Sequence, residues 1–286
     1  MEDVARTALM VAAFRAKESN RPNRLFNDPL SSVLAGENAL RVAANHDRDE
    51  RLPYLAIRTR FFDDWLEKLV DLSCRQVVFL GAGMDTRAFR LRWPDGVQLW
   101  EIDCPALLDL KQTRLNTVQA KPKCIRTPVA ADLSVADWPN HLLIQGFHKE
   151  APSVWLAEGL FLYLPSKAVA QILQSVASIS CEGSQFGAEI LSEDYLHHER
   201  NRARLEEATA RGTPWIFGTN EPEELFSQTG WRVNAVVQPG DEEACFGRWP
   251  KRSAPRHSPG LASSFFVTAT NPQKSRQCRS DELIAG

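Results

Sequence analysis

Residues 76–89 read QVVFLGAGMDTRAF, and this stretch decides the fold. Val77, Val78, Phe79 and Leu80 make a short, continuously apolar run of strand formers, the pattern of a parallel strand buried on both faces. The run stops at Gly81-Ala82-Gly83, where a missing Cβ lets the backbone turn tightly and come close to a ligand. Residues 85–91 are expected to start a helix whose amino end points at that ligand.

What the loop lacks narrows the ligand. A dinucleotide-binding turn needs a third glycine three residues after the second, so that the helix can start close to the pyrophosphate. Thr86 stands there instead, with Asp85 before it. A carboxylate at the mouth of the loop repels a diphosphate and suits an ammonium or sulfonium group. The loop therefore reads as a site for a nucleoside joined to an amino acid, S-adenosylmethionine, with an ordinary strand-to-helix turn as the bland alternative.

Towards the amino terminus, apolar residues at 5, 8, 9, 12 and 16 mark one face of a helix over 4–18, with Arg15 at the edge of that face and Lys17 off it. A loop rich in Asn and Pro follows, then a weakly patterned helix over 30–44. A stronger signal spans 53–70, where Tyr54, Leu55, Phe61, Phe62, Trp65, Leu66, Leu69 and Val70 recur at three- and four-residue steps. Arg58 falls within that apolar seam, while Arg60 falls with Asp63, Asp64 and Glu67 on the wet side. A guanidinium facing a core needs an anion, either a structural carboxylate or the carboxylate of a bound methionine moiety.

Beyond the glycine loop, strands are expected over 97–102, 124–130, 153–157, 185–191, 231–237 and 264–270, with helices over 105–119 and 167–179 between some of them. This alternation implies a doubly wound α/β sheet of seven strands, whose ligands sit outside the carboxyl ends of the strands. Residues 192–222 read as a polar helical insertion and 239–262 as a long loop, each either a lid at the active-site edge or a merely tolerated insertion. The expected organisation is one domain over 1–286: a helical cap over 1–72, an α/β core over 75–271 and a polar, disordered tail over 272–286.

Four consecutive strand ends then carry polar candidates: Gly81 and Gly83, Asp103, Asp132 and Glu158. An acid closing the second strand is placed to accept both ribose hydroxyls. Asp132 can accept the adenine amine, with Leu133 packing on the ring, and Glu158 is placed near the methionine ammonium or the sulfonium edge. The strand ends carry no histidine. His197 and His198, adjacent in the insertion, are the weak candidates for a general base, and the bland reading of such a pair is solvated surface.

With 34 Lys and Arg against 36 Asp and Glu in 286 residues, nothing in the charge points to nucleic acid or an acidic membrane as partner. Six cysteines show neither a C-x-x-C pair nor metal-ligand spacing, so no metal is expected and they read as reduced thiols of a cytoplasmic protein. No apolar stretch reaches the length of a membrane span.

The motifs GAGMDTRAFRL, WEIDCP with Lys111 after it, AADL, AEGLFLYL, RTRFFDDWL and RAKES followed by LFNDP together resemble the leucine carboxyl methyltransferase family, which includes polyketide O-methyltransferases of the tetracenomycin type. The resemblance spans about 5–271 and implies a class I methyltransferase fold with S-adenosylmethionine as cofactor. Its cofactor contacts fall on an amino-terminal basic residue, Arg15 or Lys17, and on Arg58, Gly81, Asp103, Asp132, Leu133 and Glu158. The helical seam favours Arg15. The function expected is O-methylation of a carboxylate or hydroxyl on a small, natural-product acceptor. The alternatives are methylation of a protein's carboxyl terminus, cofactor binding without catalysis, and, disfavoured by Thr86, an NAD(P)-dependent oxidoreductase.

Overall fold

The computed structural model describes residues 2–45, 51–72, 74–249 and 253–272. Residues 273–286, which make up nearly all of the expected tail and include Cys278, lie outside the described residues. Seven strands form one sheet: β1 (Gln76–Leu80), β2 (Gln98–Asp103), β3 (Ile125–Ala130), β4 (Ser153–Ala157), β5 (Gln185–Leu191), β6 (Arg232–Val237) and β7 (Ser264–Thr270). Their order is β3-β2-β1-β4-β5-β7-β6. The first five run parallel, and β7 lies antiparallel to both of its neighbours. Because β6 and β7 are antiparallel neighbours, no crossover helix is needed between them.

Alternation along the strands builds a core on each face. Val77, Phe79, Leu99, Val154, Leu156 and Phe266 point to one side. They meet α1 (Glu2–Ser19), α2 (Ser31–Ala44), α3 (Arg51–Asp71) and α5 (Pro105–Thr117). Val78, Leu80, Trp100, Trp155, Phe186 and Phe265 point to the other side. Their neighbours are α6 (Trp138–Ile144), α7 (Ser166–Ser178) and α10 (Pro222–Gln228). The seam of α3 packs on the sheet through Phe61 and Phe62, whose rings lie 5.1 and 5.6 Å from that of Phe266. Its close seat depends on Gly187 of β5, where a Cβ would come within 2.7 Å of the Trp65 indole.

One expectation needs correction. The helix anticipated over 85–91 is a single turn, α4 (Arg87–Arg90). Asp85 Oδ1 accepts the Arg87 backbone N–H at 2.6 Å at its start, and the chain leaves the helix at Leu91, whose backbone is extended (φ −73°, ψ 164°). The insertion is helical in part, with α8 (Glu193–His197), a 3-10 turn at Glu199–Asn201 and α9 (Arg202–Ala210), before irregular chain leads to α10. Cys74, Cys104, Cys124, Cys181 and Cys245 are free thiols. Among the described residues no helix is long and apolar enough to cross a membrane, and no His, Cys, Asp and Glu group could hold a metal ion.

Candidate active site

A cavity of about 850 Å³ opens at the carboxyl ends of β1, β2, β4 and β5. That volume lies within the range of small-molecule sites. The glycine loop forms its floor. Gly81 has φ +65° and Gly83 φ +48°, and a Cβ on Gly81 would meet Leu160 Cδ1 at 2.9 Å, so only glycine fits this cradle without displacing Leu160. Asp103, at the end of β2, receives the Gly83 and Cys104 backbone N–H groups, each at 2.7 Å. Burial raises its carboxyl above the usual range while those donors pull it down.

A buried ion network fills the wall between α3 and the strands. Arg58 Nε lies 2.8 Å from Glu158 Oε1, and Arg58 Nη1 lies 2.6 Å from Glu189 Oε2. Arg87, whose side chain is 2% exposed, reaches Asp63 at 2.7 Å, Asp85 at 2.5 Å and Glu158 Oε2 at 2.7 Å. Burial works against charge on Glu158, yet Arg87 and Arg58 hold its carboxyl below the ordinary value. The same contest at Asp85, won by Arg87 and then Arg15, brings its carboxyl down to about 2. Burial likewise opposes the charge of Arg58, and Glu189 and Glu158 more than offset it, so its pKa is raised.

The structure separates the two amino-terminal candidates. Arg15 lines the cavity, bound to Asp28 at 3.0 Å and to the Met84 carbonyl of the glycine loop. The Lys17 ammonium lies 3.3 Å from the Ala43 carbonyl, and Lys17 is not among the lining residues. Arg58, Gly81, Gly83, Asp103 and Glu158 all line the cavity. Asp132 and Leu133 do not. Asp132 is exposed just past β3, and its Oδ1 accepts the Ser134 N–H at 2.9 Å and the Ser134 hydroxyl at 2.7 Å. His197 and His198 are exposed and border a separate shallow depression with no residue in common with the main cavity.

Sequence reasoning passed over Glu189 and Tyr54. Glu189 sits within β5, its side chain 3% exposed, and accepts the Tyr54 hydroxyl as well as Arg58. Burial, reinforced by the Glu189 charge, raises Tyr54 well above the ordinary phenol value. The available signal was a lone carboxylate inside an otherwise apolar buried strand, which must have a buried partner.

Comparison with known proteins agrees with this geometry. The sequence model of the family described as leucine carboxyl methyltransferase matches residues 8–177. A Parafrankia protein named "Putative S-adenosyl-L-methionine-dependent methyltransferase" is 42% identical over 93% of this chain and 86% of its own. A Streptomyces coelicolor protein of the same description is 35% identical over 89% and 91%. Among solved structures, a DUF574 family protein from Streptomyces avermitilis superposes with a TM-score of 0.60 at 16% identity, over 91% of this chain and 97% of that one. A methyltransferase-like protein from Thermobifida fusca does so with the same score and identity, over 93% and 94%, which places the fold among class I methyltransferases. By the family match and the relatives' identity over most of its length, the chain belongs to the leucine carboxyl methyltransferase family, and S-adenosylmethionine is the cofactor for which its relatives are named.

Proposed function

We propose that the protein is an S-adenosylmethionine-dependent O-methyltransferase acting on a small, natural-product acceptor, built as one domain whose α1–α3 cap and 192–222 insertion cover the cofactor. The observation that carries this reading is the charge of the inner cavity wall. Among its lining residues Arg15, Arg58 and Arg87 stand against Asp85, Asp103, Glu158 and Glu189. That surplus of anions suits a ligand carrying both an ammonium and a sulfonium.

In this reading Arg58 and Arg15 hold the cofactor's carboxylate and Glu158 its ammonium. Asp103 takes the ribose hydroxyls through the lone pairs its two backbone donors leave open, and the adenine extends past the cavity lining to Asp132 and Leu133, just beyond β3. When bound, the cofactor supplies an electrophilic methyl group on cationic sulfur. The chain orients the acceptor oxygen against it and excludes water with the insertion and with residues 238–249 and 253–263, which contribute to the cavity lining.

The test is thermal unfolding with candidate ligands, followed by an acceptor screen with labelled methyl donor. S-adenosylhomocysteine at about 100 times its dissociation constant should stabilise the protein by roughly 2.7 kcal/mol, and NAD and NADP should not. Stabilisation by NAD alone would overturn the reading.

A further inference from the structure

The cavity is divided by charge, and the division says what its second occupant is. Its inner half holds the anion surplus described above. Its outer half is made largely by the insertion, where Arg204, Glu207, Ala208 and Arg211 recur at three- and four-residue steps and present one face of the α9 region to the cavity. Arg211 is paired with Glu207. Arg204 is half-buried, and its Nη1 donates to the Tyr195 hydroxyl at 2.8 Å. Among the described residues Arg204, Arg200 and Arg6 have no carboxylate within 4.0 Å, although all three line the cavity.

Aromatic rings stand beside these guanidiniums. Tyr195 and Trp215 both line the cavity, with centroids 6.1 Å apart and planes inclined by 36°. Tyr163 and Thr7, the neighbour of Arg6, line the same cavity, so the start of α1 and the insertion both border it. Rings of this kind offer a flat apolar surface, and a half-buried guanidinium without an anion offers a place for one.

We propose that this outer half is an acceptor subsite for an aromatic acid: the ring packs against Tyr195 and Trp215, and an anionic group, carboxylate or acidic phenolate, is held by Arg204 with Arg200 and Arg6 at the rim. The inference rests on the methyltransferase reading, because it takes the inner half as the cofactor's place.

The test uses calorimetry on protein saturated with S-adenosylhomocysteine. Benzoate, 2-naphthoate and anthracene-2-carboxylate are titrated, each against its primary amide. At least one acid should bind about tenfold or more tightly than its amide, the advantage of a charge-assisted contact. Arg204→Gln should cut that preference to about threefold or less, while Arg204→Lys should retain part of it. Arg202→Gln, which removes an exposed partner of Glu206 on the other side of the helix, should leave it intact. The S-adenosylhomocysteine affinity of each variant, measured first, reports its folding. If that ligand fails to bind the wild-type protein, the methyltransferase reading falls. If it binds but no acid does, or the amides bind as well, or the preference survives Arg204→Gln, the acid subsite alone is overturned.

Discussion

Glu189, inside the fifth strand, holds Arg58 of the third helix by a 2.6 Å contact between Oε2 and Nη1, across 131 residues of sequence. The pair fixes α3 on the sheet at the point where the cavity wall begins, so packing and binding share the same side chains.

Replacing Arg58 therefore has two consequences. Arg58→Ala leaves Glu158 and Glu189 without that partner in a buried setting, which should cost about 3–5 kcal/mol of stability. It should also weaken S-adenosylhomocysteine binding. Arg60, two residues on, is about two-fifths exposed and paired with Asp64 one turn away, so Arg60→Ala should change stability by about 1 kcal/mol or less. Urea unfolding and calorimetric titration of the two variants measure both effects. Equal losses would mean that the buried network contributes nothing beyond a surface pair.

Acid should loosen the glycine loop through Asp85. Its carboxyl lies at about 2 in the folded protein, held down by Arg87 and Arg15 against burial, and near the ordinary 3.8 when unfolded. A depressed folded value contributes stability that is fully present above the unfolded value and lost as pH falls towards the folded one. The gap is worth on the order of 2 kcal/mol. Unfolding free energies of wild-type protein and Asp85→Asn should therefore differ by a constant amount at neutral pH and converge between about pH 4 and pH 2. Parallel curves across that window would show that Asp85 does not titrate as the ion network requires.

Much of this arrangement is legible in the sequence because it follows from periodicity. The seven strands fall within a residue or so of the expected runs, and the α3 seam distinguishes buried Arg58 from two-fifths-exposed Arg60, but it puts Asp63 on the wet side, whereas Asp63 is buried because Arg87 and Arg90 reach it from α4. Two short helices, Trp138–Ile144 and Pro222–Gln228, carry too few turns for a period to emerge. The helix after the glycine loop is shorter than its residues suggest, because propensity says nothing of Asp85 folding back onto the Arg87 N–H or of the chain extending at Leu91. Glu189 was passed over for a different reason: its meaning depends on Tyr54 and Arg58, which only the packed fold brings to it.

Asp132 offers a cleaner test of the cofactor's position, since it is exposed and outside the core. Asp132→Asn should leave the melting temperature of the free protein unchanged. It should raise the dissociation constant for S-adenosylmethionine by about tenfold, because an amide presents one acceptor where the carboxylate presents two. Unchanged affinity would place the adenine elsewhere, and in that case Asp132 serves only to order the turn at Ser134.

The remaining question is whether the chemistry uses a base. A phenol or alcohol must lose its proton as it attacks, whereas a carboxylate is already ionised at neutral pH and needs only orientation and desolvation. The cavity lining contains no histidine among the described residues. Burial, with the Glu189 charge behind it, raises Tyr163 to about 12 and Tyr54 well above the ordinary phenol value, so neither phenol is a ready base. Glu158 and Glu189 are committed to arginines. His197 and His198 lie on the side of the insertion turned away from the cavity. The expectation is that the acceptor oxygen is a carboxylate and that His197→Ala with His198→Ala leaves kcat/KM within about threefold of wild type from pH 5.5 to 9, a change too small for loss of a general base. A large drop in rate, together with loss of a limb in the imidazole range of the pH profile, would show that the insertion swings a histidine onto the acceptor and would make a hydroxyl the methylated group.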